Sequence, residues 1–150
     1  MKRRLAREIA IQSLYHIEMN EVEAEEAVTM LLAEAAGDNE SEVEKLSDVE
    51  ATREFVLEIV KGTWNQREAI DGLLADYLKG WQLSRLSKVD RQVLRLATYE
   101  MIFRDDVPGK VAVNEAIELA KHFGTADSGK FVNGVLGKMI QDVERLKSKI

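Results

Sequence analysis

Apolar residues recur along this chain at spacings of three and four, the period of helices that each bury one stripe. Over Lys2 to Met19 the stripe is Ala6, Ile9, Ala10, Ser13, Leu14 and Ile17. Over Val22 to Ala36 it is Ala24, Ala27, Val28, Leu31, Leu32 and Ala35. Gly37 to Leu46 interrupts the period with an acidic, turn-forming composition and reads as a mobile surface loop. Ser47 with Glu50 three residues on is a capping box, so a third helix is predicted to start there. It turns Phe55, Ile59, Ile70 and Leu74 inward as far as about Lys79 and stops at Gly80, either bending near Gly62 or breaking between Gly62 and Asn65. Trp81, Leu83 and Leu86 then bridge to the second half, with Trp64 and Trp81 read as anchors between helices.

From Leu83 to Met139 the start and stop signals are denser. A helix opens at Ser87 with Val89, Val93, Leu96, Ala97 and Met101 as its stripe, and Asp105-Asp106-Val107-Pro108-Gly109 ends it. A second runs from about Lys110 to Phe123 on Val113, Ala116, Ile117 and Ala120, with Gly124 as a left-handed C-terminal residue. A third, capped by Asp127 or Ser128, turns Phe131, Val132, Val135, Leu136 and Met139 inward. Its Gly134 and Gly137 remove side chains where another helix can approach. Glu100 falls on an apolar stripe, where a carboxylate needs hydrogen bonds: it either caps a helix start or takes an arginine such as Arg95.

Composition narrows the class. With one proline and 32% charged residues in 150, the chain suits a single all-α domain. Cysteine is absent, which excludes disulfides and zinc-thiolate sites. Glu8, Gln12 and His16 interrupt the apolar pattern after the basic start, so it is not a signal peptide, and no run reaches the length of a membrane span. The expectation is a soluble cytoplasmic protein.

The net charge of −6 is unevenly spread: +3 over residues 1 to 17, −12 over 18 to 58, and +3 over 59 to 150. An acidic block beside basic ends suits one polyanion-binding edge. On the first helix Arg4, Arg7, Ile11 and Tyr15 fall together, roughly 130° from the buried stripe. Guanidinium forks bind phosphate oxygens, and a ring beside them offers an unstacked base a surface. The residues alone leave open whether this is a binding face or a helix end whose arginines pair with acids while Ile11 and Tyr15 pack inward.

Covalent chemistry finds no support. His16 and His122 stand apart without metal-ligand spacing, and no second carboxylate makes a dyad with Glu100. Gly129 and Gly134 mimic a P-loop, but Val135-Leu136 stand where Lys and Ser/Thr are required, and no cofactor motif appears. The chain is read as no enzyme.

Several motifs in order carry a resemblance: Leu86-Ser87-Lys88-Val89-Asp90-Arg91, Leu94-Arg95-Leu96-Ala97-Thr98-Tyr99-Glu100, Val107-Pro108, Asn114-Glu115-Ala116-Ile117-Glu118-Leu119-Ala120-Lys121 and Lys130-Phe131-Val132-Asn133-Gly134-Val135-Leu136. Together with Arg3-Arg4, Arg7-Glu8 and Gln12-Ser13-Leu14-Tyr15, the chain resembles the NusB family of transcription antitermination factors. The resemblance implies an all-α domain of two packed sub-bundles, about 1–80 and 81–150, with about seven helices. It implies binding to single-stranded boxA-type RNA in nascent ribosomal transcripts, and a place beside RNA polymerase in an antitermination complex. The implied protein partner is NusE, a ribosomal small-subunit protein. By the same resemblance Lys2, Arg3, Arg4, Arg7 and Tyr15 match the family's RNA-contacting first helix, and Lys121, Asp127, Ser128, Lys130 and Phe131 its second RNA segment, the two brought together in one strip. Trp81, Ser84, Lys88 and Asp90 fall where the family docks NusE. The rival expectation is a helical adaptor that binds protein only.

Overall fold

The computed structural model describes residues 3–38, 49–80 and 82–150, and they form an all-α fold. Two compact units divide it, Met1–Trp64 and Asn65–Ile150.

In the first unit α1 (Arg3–Asn20) packs along α2 (Ala24–Asp38), and α3 (Val49–Asn65) follows. All six residues of the predicted α1 stripe are buried, and so are Ala27, Val28, Phe55, Val56, Ile59 and Val60. Thr29 of α2 accepts a hydrogen bond from Arg53 at 2.7 Å, Glu25 takes the Lys61 ammonium at 2.7 Å, and the Arg3 guanidinium lies 4.2 Å over the Phe55 ring. Gly37 and Asp38 belong to α2 and not to the expected loop; the remainder of that loop and the Ser47 cap lie outside the described residues.

The expected long helix divides. α3 runs through Gly62 unbroken, and α4 (Arg67–Ala75) begins after Gln66, whose φ of −98° and ψ of 10° leave the helical region. α4 stops at Ala75, short of Gly80, and Lys79 (φ 39°) and Gly80 (φ 85°) turn the chain through the left-handed region. α4 belongs to the second unit, tied to α5 by ion pairing between Asp71 and Arg95, so the division falls at 64/65 and not near 80.

In the second unit a short 3-10 turn (Leu83–Arg85) leads to α5 (Lys88–Thr98), capped as predicted by the Ser87 hydroxyl, which accepts from the Asp90 N–H at 3.1 Å. The helix gives way at Thr98 to a π-helical turn, Tyr99–Phe103, in which those two rings stack at 5.9 Å and Glu100 is buried. α6 (Gly109–Phe123) packs on α5 and α7 (Ala126–Met139), its buried Ala112, Ala116 and Ala120 presenting little bulk to them. A 3-10 turn (Ile140–Asp142) and α8 (Val143–Lys147) complete the unit. The core here is Val93, Leu94, Leu96 and Ala97 with Met101, Ile102, Val132, Val135, Leu136, Met139 and Leu146.

Three local expectations are corrected. Thr125, not Asp127 or Ser128, caps α7, with its hydroxyl 3.4 Å from the Ser128 N–H. Gly124 is not left-handed, at φ −121° and ψ −123°; an added Cβ there meets Ser128 Oγ at 2.6 Å and the Ala120 carbonyl at 2.9 Å, so crowding is what demands glycine. Among the described residues Gly134 has no neighbour where a Cβ would stand and Gly137 meets only Asn133 of its own helix, so neither marks a helix contact there.

Candidate nucleic-acid interface

On α1 the structure redraws the predicted face. Arg4 and Tyr15 are exposed, the latter 40%, but Ile11 is buried and Arg7 is only 5% exposed. At about 100° per residue, Tyr15 stands about 20° from Arg4, while Ile11 and Arg7 lie on the flank turned to protein. The exposed arc runs the other way, through Gln12 and Met19. Ile11 was the legible signal: an apolar residue beside Arg7 marks a covered face. Arg3 is exposed, its guanidinium stacked on Phe55; stacking uses the face of the fork and leaves edge N–H groups for phosphate. Lys2 lies outside the described residues.

In the second unit the start of α7 and the start of α5 line a cleft of about 310 Å³, walled by Arg85, Leu86, Ser87, Asp90, Thr125, Asp127, Ser128 and Phe131. Both helix starts bring first-turn N–H groups here, only partly paired by the Ser87 and Thr125 hydroxyls, and so favour negative charge at this end. Three residues expected at RNA, Asp127, Ser128 and Phe131, thus share a wall with Asp90, expected at the protein partner. The Ser128 hydroxyl donates to Asp90 Oδ2 at 3.4 Å, and Asp90 Oδ1 is shut off from solvent with no hydrogen bond among the described residues. Arg85 and Thr125 are cleft residues the motif reading passed over; Arg85 stood next to the quoted Leu86, and a cationic neighbour was its only signal.

Lys130 is exposed on the first turns of α7. Lys121 reaches the same helix end because Gly129 has no side chain: a Cβ there meets Lys121 Cγ at 2.8 Å and Cε at 3.1 Å, so the lysine stem crosses directly over the glycine. Its ammonium makes only a loose pair with Glu118, at 3.7 Å.

Of the residues expected at NusE, Ser84 sits in the 3-10 turn, where its carbonyl accepts from Arg91 Nη2 at 3.3 Å, and Lys88 is exposed at the first position of α5. Trp81 lies outside the described residues. Among those residues no helix is long and apolar enough to cross a membrane, and no group of three or more acidic or histidine side chains is placed to hold a metal.

Comparison with known proteins gives one consistent family. Residues 4–141 match the model of the NusB family. The chain is 45% identical over 141 residues to the transcription antitermination protein NusB of Acetivibrio thermocellus, covering 94% of this chain and 90% of that protein. Its fold matches the solved NusB of T. maritima with a TM-score of 0.79 and 33% identity, over 100% and 99% of the two chains. It also matches a chain from a solved complex of antitermination factors NusB and NusE with double-stranded RNA, with a TM-score of 0.76 and 24% identity, over 94% of this chain and 98% of that one.

Proposed function

Because this chain belongs to the NusB family, we propose that it is a transcription antitermination factor that works by binding RNA together with NusE, without covalent chemistry. The observation that carries the RNA reading is the pairing of an exposed ring with an exposed guanidinium, Tyr15 with Arg4, on one arc of α1. A ring left 40% exposed gains little from the fold and keeps a face open to a partner, and a base is sequence-tolerant cover beside a phosphate-binding fork. Arg3, Arg4, Lys121 and Lys130 neutralise phosphates; Tyr15 and Phe131 stack on bases; Asp127 and Ser128 supply polar groups for base edges. Lys2 joins the basic start, and Arg7 acts from beneath by fixing α1.

The RNA is a single-stranded boxA-type element of a ribosomal transcript, as the family resemblance implies. The relative solved with NusE holds double-stranded RNA, whereas an exposed ring is of use only to an unstacked base. NusE docks at Ser84, Lys88 and Asp90, with Trp81 joining them by the family resemblance, and carries the chain into the antitermination complex with RNA polymerase. Asp90 lines the cleft at this end, and its carboxylate offers a donor from the partner a charged acceptor.

The test is fluorescence anisotropy with a boxA-type single-stranded RNA, with and without NusE. Four phosphate contacts give a slope of about −2.8 in log affinity against log salt. Tyr15→Ala costs about 1–3 kcal/mol, and Arg4→Ala flattens the salt slope. Parent-like binding by both variants overturns the α1 site. Retention of NusE without salt-sensitive RNA binding points instead to a protein-binding adaptor.

A further inference from the structure

We propose that α1 holds a second nucleotide seat one turn beyond Tyr15, built from Met19 and the His16–Asn20 pair. This rests on the RNA reading of α1. Met19 is 38% exposed, almost as open as Tyr15, and the two are four residues apart, hence neighbours on one face about 6 Å apart along the axis. No other large apolar side chain of α1 is exposed. A stacked strand advances about 3.4 Å per nucleotide. A 6 Å step therefore suits a strand whose bases are splayed apart, each lying on its own side chain. The thioether of Met19 is unbranched and polarisable, which lets it flatten against a base without demanding one shape.

Beside it, Asn20 Nδ2 and His16 Nδ1 are 2.7 Å apart. The amide nitrogen is a donor only, so Nδ1 accepts and the ring proton sits on Nε2. That leaves a donor at His16 Nε2 and an acceptor at Asn20 Oδ1 next to the Met19 surface. Such a pair complements a base edge that presents one acceptor and one donor. Met19 supplies a surface for any base, and the fixed order of donor and acceptor in the polar pair separates adenine and cytosine, with an amino donor beside a ring acceptor, from guanine and uracil, with a carbonyl acceptor beside a ring donor.

The test pairs protein variants with RNAs that each lack one base along the boxA-type strand, binding being read by anisotropy. Met19→Ala is expected to weaken the intact RNA about fivefold, and one abasic position should bind the parent and Met19→Ala alike, because the lost base and the lost side chain are the same contact. Asn20→Ala should narrow the parent's preference among the four bases at that position and leave the others unchanged. If Tyr15→Ala weakens binding while no abasic position couples to Met19, the second seat is wrong and the RNA reading of α1 stands. If Tyr15→Ala binds like the parent, both fall.

Discussion

The Arg95 guanidinium forks onto Asp71, Nε to Oδ1 at 2.9 Å and Nη2 to Oδ2 at 2.8 Å, fastening α4 to α5. The arginine side chain is only 8% exposed, so the fork sits largely out of water, where a planar two-bond match is worth more than a surface pair. Asp71→Ala leaves a desolvated guanidinium without its fork. The expected loss is about 2–3 kcal/mol, below the 3–5 kcal/mol of a fully buried pair because Asp71 keeps 30% exposure. Urea unfolding measures it. Arg95→Lys should lose a similar amount, since an ammonium cannot restore the fork.

Two hydroxyl caps bound the cleft. Ser87→Ala removes the acceptor for the Asp90 N–H and should cost about 1 kcal/mol. Thr125→Ala should cost roughly half that, because its bond to the Ser128 N–H is longer, 3.4 Å against 3.1 Å. Denaturant midpoints rank the two. A larger loss for Thr125→Ala would mean that the start of α7, not that of α5, is the tighter of the two.

How much of this was readable depended on whether a residue's role is local. The Ser87 cap is local, a serine whose hydroxyl satisfies an N–H three residues on, and the sequence shows it plainly. At the start of α7 the same rule failed, because Thr125, Asp127 and Ser128 can all cap and only the backbone path decides; Thr125, at φ −132° and ψ 176°, is the extended one. Gly124 follows a helix end, where glycine usually serves conformation, yet its role here is steric, a distinction that depends on where Ser128 and the Ala120 carbonyl lie. On α1 the periodicity finds the buried stripe but leaves open which flank beside it is covered; Arg7 and Ile11 lie on the covered one, Tyr15 and Met19 on the open one. The cleft was invisible in one dimension, since its walls come from segments nearly forty residues apart.

Tyr77 donates to Asp142 Oδ2 at 2.6 Å and accepts from Arg145 Nη2 at 3.2 Å, joining the turn after α4 to the start of α8. Burial and then the Asp142 hydrogen bond push the phenol above its usual value, while the Tyr77 hydrogen bond, followed by that of Arg145, holds the Asp142 carboxyl below its own. A carboxyl with a depressed folded value stabilises the fold above the ordinary carboxylate range and ceases to as pH falls through the depressed value. Tyr77→Phe should raise the Asp142 value towards normal, seen by NMR titration of its carboxyl carbon. The stability gap between parent and variant should be widest near neutrality and close in acid. A gap that grows as pH falls would contradict this.

Gly129 separates stability from binding. Alanine is the better helix former by up to about 1 kcal/mol, and the atoms a new Cβ meets belong to the Lys121 stem, which can swing aside. Gly129→Ala should therefore leave the unfolding midpoint unchanged or slightly higher. The displaced stem carries the Lys121 ammonium away from the start of α7. If that ammonium neutralises one RNA phosphate, the salt slope should fall by about 0.7, the share of a single contact on a single strand. Lys121→Ala should lower it equally, and combining the two should lower it no further, because both act on the same charge. A stable Gly129→Ala protein with an unaltered salt slope would show that the lysine's path over the glycine serves packing alone.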